Sequence, residues 1–157
     1  MKKYIEELYT KGDSLTGESL YYLDSNFSQP YNGWAIEMFK GEINWEFEIK
    51  NGKQNGIEKV YKNGHLIQVD EYKDNLQYGV SKEYDKNGNL TSVSVVWNND
   101  HIKTIYLKNN QIDEVILYRE FNIQKTLPEY INKLCQLSEE ELINYKFDSN
   151  NPHLDYP

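Results

Sequence analysis

The sequence predicts an α+β fold: an antiparallel meander sheet built from β-hairpin repeats of about 23 residues, flanked by an N-terminal helix and two C-terminal helices. The first observation behind this prediction is a repeat of glycines, at Gly33, Gly56 and Gly79 and again at Gly41, Gly64 and Gly88. The second is an alternation of apolar and polar residues between positions 34 and 118, which is typical of strands. The third is a return of helical periodicity after residue 126.

The strand pattern is clearest over residues 42–49. Ile43, Trp45, Phe47 and Ile49 alternate there with polar residues, so the two sets occupy opposite faces. Further strands are predicted at 57–62, 65–72, 79–84, 89–97, 102–108 and 111–119. The turns between them are rich in Asn and Gly, which tolerate the positive φ of tight hairpins. Connections this short predict a meander of about eight antiparallel strands.

The remaining segments are predicted to be helices and connections within one domain, 1–157. Its predicted parts are an N-terminal helix and loop (1–32), a hairpin-repeat sheet (33–120), a helical cap (126–148) and a loose tail (149–157). Residues 2–11 carry one apolar stripe at helical spacing, which predicts the N-terminal helix. In the cap, Thr126–Glu129 and Ser138–Glu141 both have the pattern of a capping box, which predicts two helix starts.

The composition restricts the classes of function. The chain has 157 residues, a net charge of −8 and a single cysteine, which excludes an internal disulfide. An acidic protein repels nucleic acid and anionic lipid and attracts basic partners. No apolar run is long enough for a membrane span, and none follows the basic N-terminal residues as it would in a secretory signal. We therefore expect a cytoplasmic protein with no direct nucleic-acid partner and no membrane span.

Catalysis finds little support in the sequence. His65, His101 and His153 have no second His or Cys at the spacing of metal ligands. Cys135 lies on the apolar stripe of a predicted helix, which is typical of a structural thiol. The Lys-Asn-Gly segments are hairpin turns and do not open a helix as a phosphate-binding loop would. We predict a protein that is not an enzyme and has no cofactor, metal site or catalytic residue.

Two copies of the repeat, residues 56–66 and 79–90, carry a resemblance to a known family. Each begins with a glycine, has Tyr61 or Tyr84 five residues later, and closes with Asn-Gly-x-Leu. This pattern resembles the bacterial variant of the MORN (membrane occupation and recognition nexus) repeat. Residues 33–52 are similar to a degraded third copy, and residues 101–119 keep only the strand rhythm.

The resemblance implies a function as well as a fold. Bacterial proteins of this variant type are similar to antitoxin and immunity components encoded beside polymorphic or contact-delivered toxins. It implies an immunity or antitoxin protein that binds a basic toxin domain, such as a nuclease, and occludes its active site or substrate surface. Three alternatives stay open: a phage- or plasmid-encoded inhibitor of a host protein, a lipid- or glycan-binding repeat module, and self-assembly through open sheet edges.

The residues predicted to contact the partner are acidic and aromatic. Glu42, Glu46 and Glu48 share one strand face, and Glu71 follows Glu48 at the repeat spacing. The predicted partner-binding set is Glu42, Glu46, Glu48, Asp70, Glu71, Asp74, Tyr72, Tyr84 and Trp97. Acidic surfaces steer basic partners, and Tyr and Trp commonly anchor interfaces. The alternative reading is an ordinary solvated sheet face for the acids and packing within the sheet for the aromatics.

Overall fold

A long β-sheet dominates the computed structural model, which describes residues 1–118 and 127–155. The strands are β1 (Lys2–Tyr4), β2 (Tyr9–Gly12), β3 (Ser19–Tyr22), β4 (Gly33–Phe39), β5 (Glu42–Lys50), β6 (Lys53–Lys62), β7 (His65–Lys73), β8 (Leu76–Tyr84), β9 (Leu90–Trp97), β10 (Asp100–Lys108) and β11 (Gln111–Leu117). Nine of them form one sheet in the order β1-β4-β5-β6-β7-β8-β9-β10-β11, and β2 pairs with β3 in a separate hairpin.

The predicted meander is confirmed. The eight strands from β4 to β11 follow one another in sequence order, each antiparallel to the next. The turn residues explain how the chain reverses within two residues. In Asn63-Gly64, which joins β6 to β7, φ is 50° at the asparagine and 74° at the glycine. Such turns match the right-handed twist of the strands that they connect.

The predicted N-terminal helix over residues 2–11 is wrong. This segment instead forms β1, a single 3₁₀ turn at Ile5–Glu7, and β2. The first strand adds to the sheet edge in parallel with β4, and the second pairs with β3. An isolated helix of about ten residues is marginal in water, whereas both strands find backbone partners here. The apolar stripe is also divided, because Leu8 is buried while Met1 and Tyr9 are exposed.

Two short C-terminal helices, α1 (Glu129–Gln136) and α2 (Glu139–Ile143), confirm the predicted helical cap. Ser138 Oγ accepts a hydrogen bond from the Glu141 N–H at 3.1 Å, and Glu141 Oε2 accepts one from the Ser138 N–H at 2.8 Å. The second predicted capping box is therefore present. Helix α1 begins after Pro128, and Thr126 of the first predicted box lies outside the described residues.

The helices and the tail build the main core on one face of the sheet, across β8, β9 and β10. Its buried side chains are Tyr78, Val80, Val93, Val95, Ile105, Ile131, Leu134, Leu142 and Leu154. Burial of each such side chain contributes about 1.5–3 kcal/mol to the hydrophobic driving force. The tail was predicted to be loose, but it brings Leu154 into this core in a 3₁₀ turn at Pro152–Leu154, where the side chain is fully buried.

Two lysines fix the ends of the helices to the sheet. Lys82 on β8 donates through Nζ to the carbonyl oxygens of Ile143 at 2.7 Å and Tyr145 at 2.8 Å. Lys103 on β10 donates to the carbonyl of Leu137, the residue that ends α1, at 3.4 Å. Helix C-termini leave carbonyls without internal partners, and these cations satisfy them.

A second core lies on the opposite face, at the β4–β5 end of the sheet. Tyr21 from the β2–β3 hairpin packs against Phe47, with ring centroids 5.5 Å apart. The buried members of this core are Leu8, Tyr21, Tyr31, Ala35, Phe47 and Ile49. The N-terminal segment therefore covers one end of the face that the helices leave free.

Candidate functional site

Two bulges, one in each of the well-matched repeats, bring a glutamate against the neighbouring strand. In the β5–β6 pair, Glu48 alone lies opposite the three residues Asn55–Ile57. In the β7–β8 pair, Glu71 lies opposite Tyr78–Val80 in the same way. Irregular pairing of this kind bends a strand and leaves backbone groups without ladder partners. Each bulge therefore needs another acceptor for its free N–H.

The glutamate carboxylate is that acceptor. Glu48 Oε2 accepts the Ile57 N–H at 2.7 Å, and Glu71 Oε2 accepts the Val80 N–H at 2.8 Å. The residue before each of these N–H groups, Gly56 or Gly79, must be a glycine for the carboxylate to approach. A Cβ in its place would lie 2.3 Å from the carboxylate oxygen in the first bulge and 2.2 Å in the second. The two glycines also have φ of 115° and 119°, which L side chains rarely adopt.

The turns at one end of the sheet repeat as regularly as the bulges. Asn32 Oδ1 accepts the Asn51 N–H at 2.7 Å, and Asn55 Oδ1 accepts the Asp74 N–H at 2.7 Å. The two asparagines are separated by the repeat length, and so are the two donors. The glycine period seen in the sequence thus marks a unit that is closed by side-chain hydrogen bonds to the backbone.

Glu71 is also the point at which the helical cap is fixed to the sheet. Its carboxylate accepts hydrogen bonds from the hydroxyls of Tyr145 at 2.5 Å and Tyr130 at 3.2 Å, and from Asn151 Nδ2 at 3.5 Å. Burial raises the pKa of Glu71, and these hydrogen bonds together with the Val80 N–H oppose the rise. Burial and the neighbouring carboxylate raise the pKa of both tyrosines, which keeps them protonated as donors.

The structure therefore separates the acids that were predicted to form one exposed surface. Glu46, Glu48 and Glu71 are only 7%, 8% and 0% exposed. Glu46 accepts a hydrogen bond from the Tyr61 hydroxyl at 2.9 Å and forms ion pairs with Lys2 and Lys59. The prediction of an exposed acidic surface is wrong for these three side chains. Their carboxylates are occupied by hydrogen bonds and ion pairs within the fold, so they are not available to a partner.

The other predicted residues do not form one common surface. Glu42 is exposed near the β4–β5 turn, and Asp74 forms an ion pair with Lys53 at 2.5 Å. Trp97 is half-buried and packs against the main core beneath the helices. Tyr84 is half-buried at the end of β8. Tyr72 and Asp70 lie on the face of the sheet opposite the helices. The contacts described so far do not explain the carboxylates on this face.

Two rows of register partners define this surface, which we call the acidic face. The first row is Ala35, Phe47, Glu58, Asp70, Ser81, Ser94, Thr104 and Ile116. The second row is Glu37, Trp45, Val60, Gln68, Glu83, Ser92, Tyr106 and Glu114. Directly paired residues share a face of an antiparallel sheet, and their sequence neighbours Val80, Val93 and Val95 point into the helix-covered core.

The charges of the two faces differ. The acidic face contains the carboxylates Glu37, Glu58, Asp70, Glu83 and Glu114, and none of its positions is Lys, Arg or His. The adjacent row on the helix side includes Lys59 and Lys82, directly across β7 from each other through Val69. Glu37, Glu83 and Glu114 are exposed, so the acidic face presents negative charge to solvent at both ends and in its middle.

Glu58 and Asp70 form a buried pair at the centre of the acidic face. They are direct partners across β6 and β7, and they are 6% and 0% exposed. Burial raises the pKa of Glu58 to about 7; Gln54 opposes the rise through a hydrogen bond to Glu58 Oε2 at 2.7 Å, and the charge of Asp70 adds to it. Burial likewise raises the pKa of Asp70, while Ser81, Gln77 and Gln68 lower it.

Sequence reasoning missed Glu37, Glu58, Glu83 and Glu114. The useful signal was the fixed offset between Glu48 and Gly56, which recurs between Glu71 and Gly79. A carboxylate at a constant distance from a repeated glycine indicates a structural partner of that glycine. If Glu48 and Glu71, which are 23 residues apart, had been assigned to the bulges, the neighbouring Asp70 would have been placed on the opposite face of the sheet.

The described residues give no sign of a metal centre or a membrane-spanning helix. No group of three His, Cys, Asp or Glu side chains within 1–118 and 127–155 is placed to hold a metal ion. No helix in the same ranges is long and apolar enough to cross a bilayer. Burial raises the pKa of the Cys135 thiol, which disfavours the reactive thiolate.

Comparisons of the chain with protein-family models, curated proteins and solved structures found no match. Functional inference therefore rests on the geometry and charge of the acidic face.

Proposed function

We propose that this protein is an immunity or antitoxin protein that neutralises a basic toxin by occluding it. The observation that carries the proposal is the acidic face, with carboxylates at five register positions and no basic residue among them. We also propose that the repeats are of the bacterial MORN-variant type, on the strength of the residues at 56–66 and 79–90.

The proposed mechanism is steric and electrostatic. Exposed carboxylates on one surface attract a cationic cleft, raise the rate of encounter and orient the two proteins. The strands of this face from β4 to β10 are paired through their backbones on both sides, which makes the face rigid, so little conformational entropy is lost on binding. Trp45 and Tyr106 lie in the same rows as these carboxylates and supply aromatic surface for contact.

The test is an affinity capture from the native host, or with the product of the adjacent gene, read by mass spectrometry at low and moderate salt. The wild-type protein should recover one basic protein at a ratio near 1:1, more strongly at low salt. A matched bait, Glu37→Lys/Glu83→Lys/Glu114→Lys, should lose that protein, because the reversed residues are exposed on the acidic face.

The control bait is Glu6→Lys/Glu129→Lys/Glu140→Lys, which makes the same change of net charge at exposed positions outside the acidic face. It should retain the partner. Equal recovery by both triple variants would remove the acidic face from the account. Recovery of anionic vesicles or glycans alone would replace the proposal with a lipid- or glycan-binding module.

A further inference from the structure

The Glu58–Asp70 pair has an unfilled hydrogen-bonding position. Gln68 Nε2 donates to Asp70 Oδ2 at 2.5 Å, but Asp70 Oδ1, which is buried, accepts no hydrogen bond from any residue that the structure describes. A buried carboxylate oxygen without a partner is costly, and native proteins rarely contain one. The oxygen belongs to a side chain that is fully buried on the acidic face.

Among the described residues, no ion pair is shown between a cation and either carboxylate. The titratable groups that face the pair are Tyr72 on β7, Tyr21 on β3, Glu83 on β8, and Glu18, which precedes β3. Trp45 from β5 supplies a hydrogen bond to Glu58. The charges shown to act on the pair, within residues 1–118 and 127–155, are carboxylates, and two adjacent carboxylates in such surroundings cannot both ionise easily. Because burial raises the pKa of Glu58 to about 7, protonation of this carboxyl reduces the charge of the pair near neutral pH.

We infer that the Glu58–Asp70 pair is a receptor for a single guanidinium or ammonium group, which the basic partner inserts into the acidic face. A guanidinium supplies donors in a planar fork that matches carboxylate oxygens, and Asp70 Oδ1 offers an open acceptor. Gln54, Gln68 and Tyr72, which interact with the pair, are half-buried, so rotation of their side chains can admit the group.

Insertion of the cationic group replaces the positive charge of a bound proton with the positive charge of the ligand. The incoming group is already protonated, so the proton that Glu58 holds leaves for solvent, and both carboxylates then face one positive charge. Binding therefore releases up to one proton and strengthens as the pH rises. Glu58 has a pKa of about 7, so affinity at pH 6 should be roughly tenfold weaker than at pH 8. This inference rests on the proposed function in one respect only, which is the identity of the protein that carries the cationic group.

The test uses the isolated protein and a small probe, N-acetyl-L-arginine amide, with its uncharged analogue N-acetyl-L-citrulline amide. Side-chain carboxyl carbons are followed by NMR from pH 5.5 to 8.5. The arginine probe should shift the Glu58 and Asp70 carbons saturably, about tenfold more tightly at pH 8 than at pH 6, and the citrulline probe should not. Glu58→Gln and Asp70→Asn should weaken binding at least tenfold at pH 8.

Glu140→Gln is the matched control, because it removes one exposed carboxylate outside the acidic face and leaves the pair and its neighbours intact. It should change the affinity by less than about twofold. Equal shifts with both probes, or unchanged binding by Asp70→Asn, would overturn the inference. So would the absence of any saturable shift in the wild-type protein, a result that requires no variant to fold. A positive titration with an empty affinity capture would count against the toxin partner alone and leave the receptor pair standing.

Discussion

Asp70 and Glu71 are neighbours in the chain, both are fully buried, and they serve opposite faces of the sheet. Glu71 points to the helix side, where its oxygens accept hydrogen bonds from Val80, Tyr130, Tyr145 and Asn151. Asp70 points to the acidic face, where Oδ1 lacks a partner and the nearest charge is another carboxylate. The difference shows that burial alone does not define a structural acid. A satisfied carboxylate stabilises the fold, whereas an unsatisfied one marks the surface that the fold leaves for binding.

The largest expected effect is on the glycine that admits Glu71. Gly79→Ala places a Cβ 2.2 Å from Glu71 Oε2 at a φ of 119°, so the bulge must open. We expect a loss of about 4 kcal/mol in the free energy of unfolding, measured by urea denaturation. Gly88→Ala is the matched control, because its φ is 82° but a Cβ there meets nothing within 4 Å. It should cost only about 1 kcal/mol, and an equal loss in both variants would mean that backbone strain alone explains the glycine repeat.

The next effect compares the two neighbouring acids directly. Glu71→Gln removes the charge from four hydrogen bonds and should cost about 2–3 kcal/mol at pH 7.5. Asp70→Asn is the same kind of substitution on the other face. It should change stability by less than about 1 kcal/mol, because the repulsion from Glu58 is relieved at the same time. Equal losses from the two substitutions, measured by urea denaturation, would contradict the division between a structural and a binding face.

The third effect is a pH dependence. The pKa of Glu58 is raised by burial to about 7, above its ordinary value near 4.5. Between these values the folded state binds more protons than the unfolded state, so this group lowers stability as the pH rises from about 4.5 to 7. Glu58→Gln removes that dependence and should be more stable than the wild type by about 3 kcal/mol at pH 8, with the difference vanishing near pH 4. Thermal or urea unfolding across this range measures it, and a constant difference at every pH would be the contrary result.

The sheet could be predicted from sequence because its signals are local. Asn-Gly turns and the alternation within residues 42–49 identify strands without any knowledge of tertiary contacts. The N-terminal segment could not be predicted in this way. Its stripe fits a helix by spacing alone, and the decision for strands depends on the free edge of β4 and on β3, which are distant in sequence.

The candidate site was harder still. The two-residue period of a strand assigns Glu46 and Glu48 to one face. It does not reveal that Glu46 pairs with Lys2 and Lys59 there, or that Glu48 accepts the Ile57 N–H. Each bulge also places three residues opposite one, so a face cannot be followed from strand to strand without the register. Charge reversal at Glu46, Glu48 and Glu71, three of the residues predicted to contact the partner, would disturb the fold, because their carboxylates are bonded within it.

The most direct test of the account is the association rate of the captured partner with the protein, measured as a function of ionic strength. We expect Glu37→Lys/Glu83→Lys/Glu114→Lys to slow association at least tenfold at low salt while its unfolding curve stays within about 1 kcal/mol of the wild type. The control with lysines at positions 6, 129 and 140 should lose much less, because those residues lie outside the acidic face. Association at the wild-type rate by the first variant would contradict the claim that this face meets a basic partner.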